Sequence, residues 1–99
     1  MAITYIEQYE TKKAATEMSI SDSKYVIEYI VTGPIDMVPD TVNATISRME
    51  GEQLVRVGYA AFTNGVASVR FDSTATMVPV AGQATISTQF FIDLQSILE

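Results

Sequence analysis

Hydrophobic residues in this chain recur mostly at every second position. From Lys24 to Thr32 (KYVIEYIVT), Tyr25, Ile27, Tyr29 and Val31 form one row and Val26, Glu28, Ile30 and Thr32 the other, which is the alternation of a strand. Both rows are more apolar than a wetted sheet face requires. The strand is therefore expected to be covered on both sides, by a second layer or by another subunit. Val42, Ala44 and Ile46 alternate in the same way, and Glu50-Gly51 turns that segment into the one beginning at Gln53.

The strongest local signal is residues 59–73, YAAFTNGVASVRFDS. Asn64-Gly65 supplies two residues that tolerate positive φ, as a type I′ hairpin turn requires. A two-residue turn pairs Thr63 with Val66, Phe62 with Ala67, Ala60 with Val69 and Gly58 with Phe71. One face then carries Ala60, Phe62, Ala67, Val69 and Phe71 and is read as core. Farther from the turn the same count puts Arg56 on the core face and Val55 and Val57 on the mixed one. Arg56 is accordingly expected beyond the core edge, or paired with Asp72 or Glu28.

Residues 74–88 (TATMVPVAGQATIST) read as one or two short strands, with Pro79 marking an edge or a bulge. The C-terminal segment has two readings. As a strand, Phe90, Ile92 and Leu94 alternate. As a helix, Phe90, Phe91, Leu94, Ile97 and Leu98 share an arc of about 120°, with only Ile92 outside it and Ser87 or Thr88 as N-cap. The helix is preferred. Residues 3–11 fit a strand, with Ile3, Tyr5 and Tyr9 alternating. Together these elements predict a mainly β chain: a small antiparallel β-sandwich or barrel of about six to seven strands, with a short C-terminal helix. Residues 1–99 read as a single domain, with 1–18 and 89–99 as candidate docking arms.

Composition narrows the chemistry. Cysteine and histidine are both absent. That removes disulfides, thiolate nucleophiles, Ser-His or Cys-His catalytic sets and an ordinary catalytic zinc site. Twelve acidic residues against six basic ones give a net charge of −6, which disfavours a phosphate backbone. The five glycines are dispersed and form no phosphate-cradling loop. Asp36 and Asp40 share a proline-bounded loop, but their spacing matches no calcium loop, and they read as turn residues. No pair of acids stands out for glycoside hydrolysis. The reading is of a non-enzyme with no cofactor, no metal, no nucleic-acid partner and no membrane span. It is placed in the cytoplasm or in a virion, since the N-terminus lacks the pattern of a signal peptide.

What remains is surface. The chain has more apolar positions than a lone two-layer β domain can hide, and both ends look greasy. This points to a structural or assembly protein making contacts with copies of itself or with other subunits. A component of a bacteriophage virion, small and repeated by symmetry, fits that description. The interface candidates are Ile3, Tyr5, Tyr25, Tyr29, Phe90, Phe91, Leu94 and Ile97. The alternative is a small acidic inhibitor or adaptor, such as a phage-encoded anti-defence protein. It would bind one target protein through Asp36, Asp40, Glu50 and Glu52 on loops at one end of the sheet.

Overall fold

A computed structural model describes residues 9–35, 37–72 and 78–99. Five strands follow one another: β1 (Tyr9–Ile20), β2 (Ser23–Pro34), β3 (Thr41–Glu50), β4 (Gln53–Thr63) and β5 (Val66–Phe71). They form one open antiparallel sheet in chain order, and a helix, α1 (Val80–Leu98), lies across one face. The chain is mainly β, as its alternation predicts. Among the described residues the strands number five, and the covering layer is α1 where a second sheet was expected.

The core lies between α1 and the inner face of the sheet. Tyr25, Ile27, Tyr29 and Val31 from β2 and Val42, Ala44 and Ile46 from β3 are buried there with Ile86, Phe90 and Leu94 of α1. The buried residues of the helix, Gly82, Ile86, Phe90 and Leu94, fall at every fourth position, a narrow stripe along one side. Gly82 lies where a Cβ would come within 3.0 Å of Val78 Cγ1, next to Ile20 at the end of β1. The helix therefore starts beside the β1–β2 turn and runs back along the inner face of the sheet.

Residues 80–88, expected as strand, are the first half of this helix. Pro79 stands at its N-cap, where a missing N–H costs nothing, and Gln83 reaches back to the Val78 carbonyl (2.8 Å). Ser87 and Thr88, offered as caps, are mid-helix; Thr88 Oγ1 donates to the Ala84 carbonyl (2.9 Å). The strand expected between residues 74 and 77 lies outside the described residues, as does the part of residues 3–11 that precedes Tyr9.

The β4–β5 register is the one the turn dictates, from Thr63↔Val66 to Gly58↔Phe71. Beyond it, β3 and β4 slip by one residue between Ile46 and Ser47. The bulge turns Val57 into the core and moves Arg56 to the outer face opposite Ser47, where its Nε meets Asp72 Oδ2 at 3.0 Å. Of the two expected partners for Arg56, Asp72 is the one it meets. Gly58 sits opposite Phe71 for a reason closer than the ring: a Cβ there would lie 2.5 Å from the Arg70 carbonyl oxygen.

Strand β1 pairs with β2 along its whole length through a tight turn at Ser21 and Asp22, both at positive φ (48° and 67°). Because the sheet is a meander, its turns alternate between two poles. Asp22, Glu50 and Glu52 sit at one pole; the β2–β3 loop with Asp40 sits at the other. The acidic patch assembled from 50, 52, 36 and 40 is thereby corrected. Glu50 and Glu52 are a strand length away from Asp40, and Asp36 lies outside the described residues.

Candidate functional site: an uncharged helix flank beside a half-covered sheet

Helix α1 holds one charged side chain in nineteen residues, Asp93, and it faces inward. Its Oδ2 accepts from Tyr29 Oη (2.5 Å) and Thr16 Oγ1 (2.8 Å), and its Oδ1 accepts from Gln89 Nε2 (2.8 Å). This joins the helix to β1 and β2. Burial, with the Asp93 carboxylate beside it, pushes the Tyr29 hydroxyl far above the ordinary tyrosine range. The Phe90 ring stacks parallel to Tyr29 (centroids 6.3 Å apart) and meets Phe91 edge-on at 5.5 Å.

The opposite side of α1 faces solvent without a single charge. Val80, Phe91 and Ile92 are 80%, 46% and 53% exposed, among Ala81, Ala84, Thr85, Thr88, Gln95 and Ser96. Exposed helices in water ordinarily carry charged residues on that side. The inner face of the sheet is buried along its middle strands and partly open toward both edge strands. Contacts from α1 reach Thr16 and Ile20 of β1 and Tyr29 of β2, and Val42, Ala44 and Ile46 of β3 with Val57 and Ala60 of β4 are buried in the same core. Phe62, Ala67, Val69 and Phe71 of β4 and β5 remain partly open.

Two other features share the surface. On the outer face the Tyr59 ring lies between the guanidinium groups of Arg56 and Arg70, each 5.7 Å from its centroid, and Arg70 Nη1 donates to Tyr59 Oη (3.1 Å). Beyond the end of α1 a cleft of about 790 Å³ is floored by Ala14, Val31 and Gly33. Met37, Val38 and Ile97 wall it, and the Glu10–Lys12 ion pair (3.2 Å) lies at its rim. Among the described residues no group of three or more acidic side chains is placed to hold a metal ion. Among them, too, no helix is long and apolar enough to cross a membrane.

The structure divides the expected interface residues. Tyr25, Tyr29, Phe90 and Leu94 are in the protein's own interior, between sheet and helix, and have no surface to offer. Arg48 stands opposite Tyr25 across the β2–β3 ladder; the Tyr25 hydroxyl and the Glu50 carboxylate (Nε–Oε1 2.7 Å) beside it hold its guanidinium above the usual range. Phe91 is exposed and Ile97 half-buried at the cleft. Ile3 and Tyr5 lie outside the described residues. Residues 89–98 are not an outward arm, since Phe90 and Leu94 close the core, and residues 9–18 are a paired strand. Ile92 and Val80 were missed as surface, while Ala67, Val69 and Phe71, expected as core, do pack against it, half-buried. Ile92 had a signal in the sequence, standing outside the apolar arc of its helix.

Comparison with protein-family models, with curated proteins and with solved structures finds no match for this chain.

Proposed function

We propose that this chain is a non-enzymatic assembly module that makes protein–protein contacts with copies of itself or with other subunits, as a repeated component of a virion does. The observation that carries the reading is the outward side of α1, with no charge along its length and with Phe91, Ile92 and Val80 in solvent. An apolar, uncharged strip of this kind beside a half-open sheet is a surface suited to a protein partner. The inhibitor reading is the less favoured, because Glu50 and Glu52 stand at the pole opposite Asp40.

The test is Ile92→Lys. The side chain is more than half exposed, so the fold should tolerate lysine, with the melting temperature unchanged within about 2 °C. Light scattering across a concentration series should give a mass above one chain for the native protein and a lower one for the variant. Native protein that stays at one chain's mass at all concentrations refutes self-assembly.

A further inference from the structure

The two edges of the sheet are not alike. Along β1, Lys12 and Lys13 lie mid-strand, with the Glu10–Lys12 pair (3.2 Å) and the Glu17–Lys24 pair (3.1 Å) beside them, which is how natural sheets discourage edge-to-edge pairing. Strand β5, VASVRF, has no lysine, no proline and no bulge. Its one charge, Arg70, is folded back over Tyr59 of β4. Ala67, Val69 and Phe71, on the inner face behind this edge, are only half-buried against the core.

The backbone fixes what this edge can accept. Asp72 donates its N–H to the Val57 carbonyl (2.8 Å), toward β4. Alternation along an antiparallel strand therefore turns the N–H and C=O groups of Phe71, Val69 and Ala67 away from β4, to an edge that no strand among the described residues pairs. Groups with that spacing are satisfied by another extended strand.

We propose that the edge of β5 pairs antiparallel with β5 of a second copy of this chain, about a two-fold axis at Val69, making one continuous ten-stranded sheet. The proposal rests on the assembly reading and names the partner and the contact. The register follows from the outward groups. Val69 faces Val69 of the second copy, and Ala67 faces its Phe71, giving about six backbone hydrogen bonds. Registers shifted by two residues lose part of these, and one of them sets Arg70 against its own copy. At Val69 the small Ala67 opposes the large Phe71, as Gly58 already does within the chain. On the outer face Ser68 stands opposite Arg70, and no like charges oppose one another directly. The shortness of β5 limits the partner to a strand of equal reach, which a second β5 has. The contact is small beside a standard interface of roughly 1,600 Å², so dissociation in the micromolar range is expected and the measurements belong at tens to hundreds of micromolar.

The full-length chain tests this by charge reversal and by a cross-link. Ser68 is exposed, so its substitutions should spare the fold. Ser68→Lys puts two cations face to face with Arg70 of the other copy and should weaken the dimer at least tenfold; Ser68→Glu should tighten it. As the chain has no cysteine, Val69→Cys should form a disulfide dimer on mild oxidation. Val66→Cys should not, because in this register the two copies of that residue stand about 20 Å apart. Sedimentation that gives an oligomer insensitive to both Ser68 changes overturns the edge pairing and leaves the assembly reading standing. So does a dimer lost on deletion of residues 1–8 but kept in Ser68→Lys, which would put the N-terminal segment on the edge. A chain monomeric at every concentration overturns both.

Discussion

The buried Tyr29–Asp93 contact makes the fold sensitive to alkali in a calculable way. The Tyr29 hydroxyl is enclosed between sheet and helix and donates to a carboxylate, so ionising it would leave two negative oxygens 2.5 Å apart out of water. Burial and Asp93 together raise its pKa far above the ordinary tyrosine value of about 10. The folded chain holds this proton more tightly than the unfolded chain does. The associated stability is complete below pH 10 and is lost as the pH rises toward the folded-state value. Each unit of pH above 10 costs about 1.4 kcal/mol, giving a loss of roughly 1.4 kcal/mol at pH 11 and 2.7 kcal/mol at pH 12. A domain of this size has about 5–15 kcal/mol in total. Urea unfolding of the native chain and of Tyr29→Phe at pH 9, 10, 11 and 12 isolates the effect, since the two proteins share every other side chain. The variant should start less stable, by about 1–3 kcal/mol for the lost bond to a charged group. Its decline with pH should be shallower by one proton. Parallel curves for the two proteins would refute the argument.

Two further substitutions probe the sheet. Gly58→Ala drives a Cβ to 2.5 Å from the Arg70 carbonyl oxygen and 3.1 Å from Phe71 Cα, backbone that cannot swing aside, so the urea midpoint should fall by the equivalent of about 1–3 kcal/mol; an unchanged midpoint contradicts the close β4–β5 approach. Asp22→Gly relieves a left-handed residue at φ 67° in the β1–β2 turn and should raise stability by about 0.5–1 kcal/mol, read as a higher melting temperature; a lower one would mean that the aspartate side chain holds the turn.

The parts of the fold legible in the sequence were those decided locally. Asn64-Gly65 sets φ, φ sets the turn, and the turn sets the register of every pair from Thr63↔Val66 outward. The parts missed were decided by distant contacts. The bulge at Ile46/Ser47 moves Arg56 from one face to the other, and no residue type announces it. Strand β1 looks polar through TKKAATEM and turns at Ser21-Asp22 without a glycine; it is a strand because β2 offers it twelve partners. The first half of α1 carries Val, Thr and Ile, which favour strands weakly, and the stripe Gly82, Ile86, Phe90 and Leu94 against the sheet outweighs that preference. The candidate surface divides the same way. Helical spacing alone exposes Ile92, whereas the open edge of β5 needs the strand order.

Charge placement bears on how copies of this chain could meet. The outer face of the sheet carries Lys13, Lys24, Arg56 and Arg70 against Glu17, Glu28 and Asp72, close to balance. The net charge of −6 is therefore not spread over that face. Among the described residues, acids without an ion-pair partner stand at both poles: Asp22 and Glu52 at one, Asp40 and Glu99 at the other. Two copies approaching pole to pole bring like charges together, and screening weakens that repulsion only beyond about 8 Å in physiological salt. Copies approaching side by side meet the uncharged flank of α1 or the edge of β5, where almost no charge has to be desolvated. Salt should then separate the two geometries. Lateral association should change little between low and moderate salt, while stacking through the poles should strengthen steeply as salt is added.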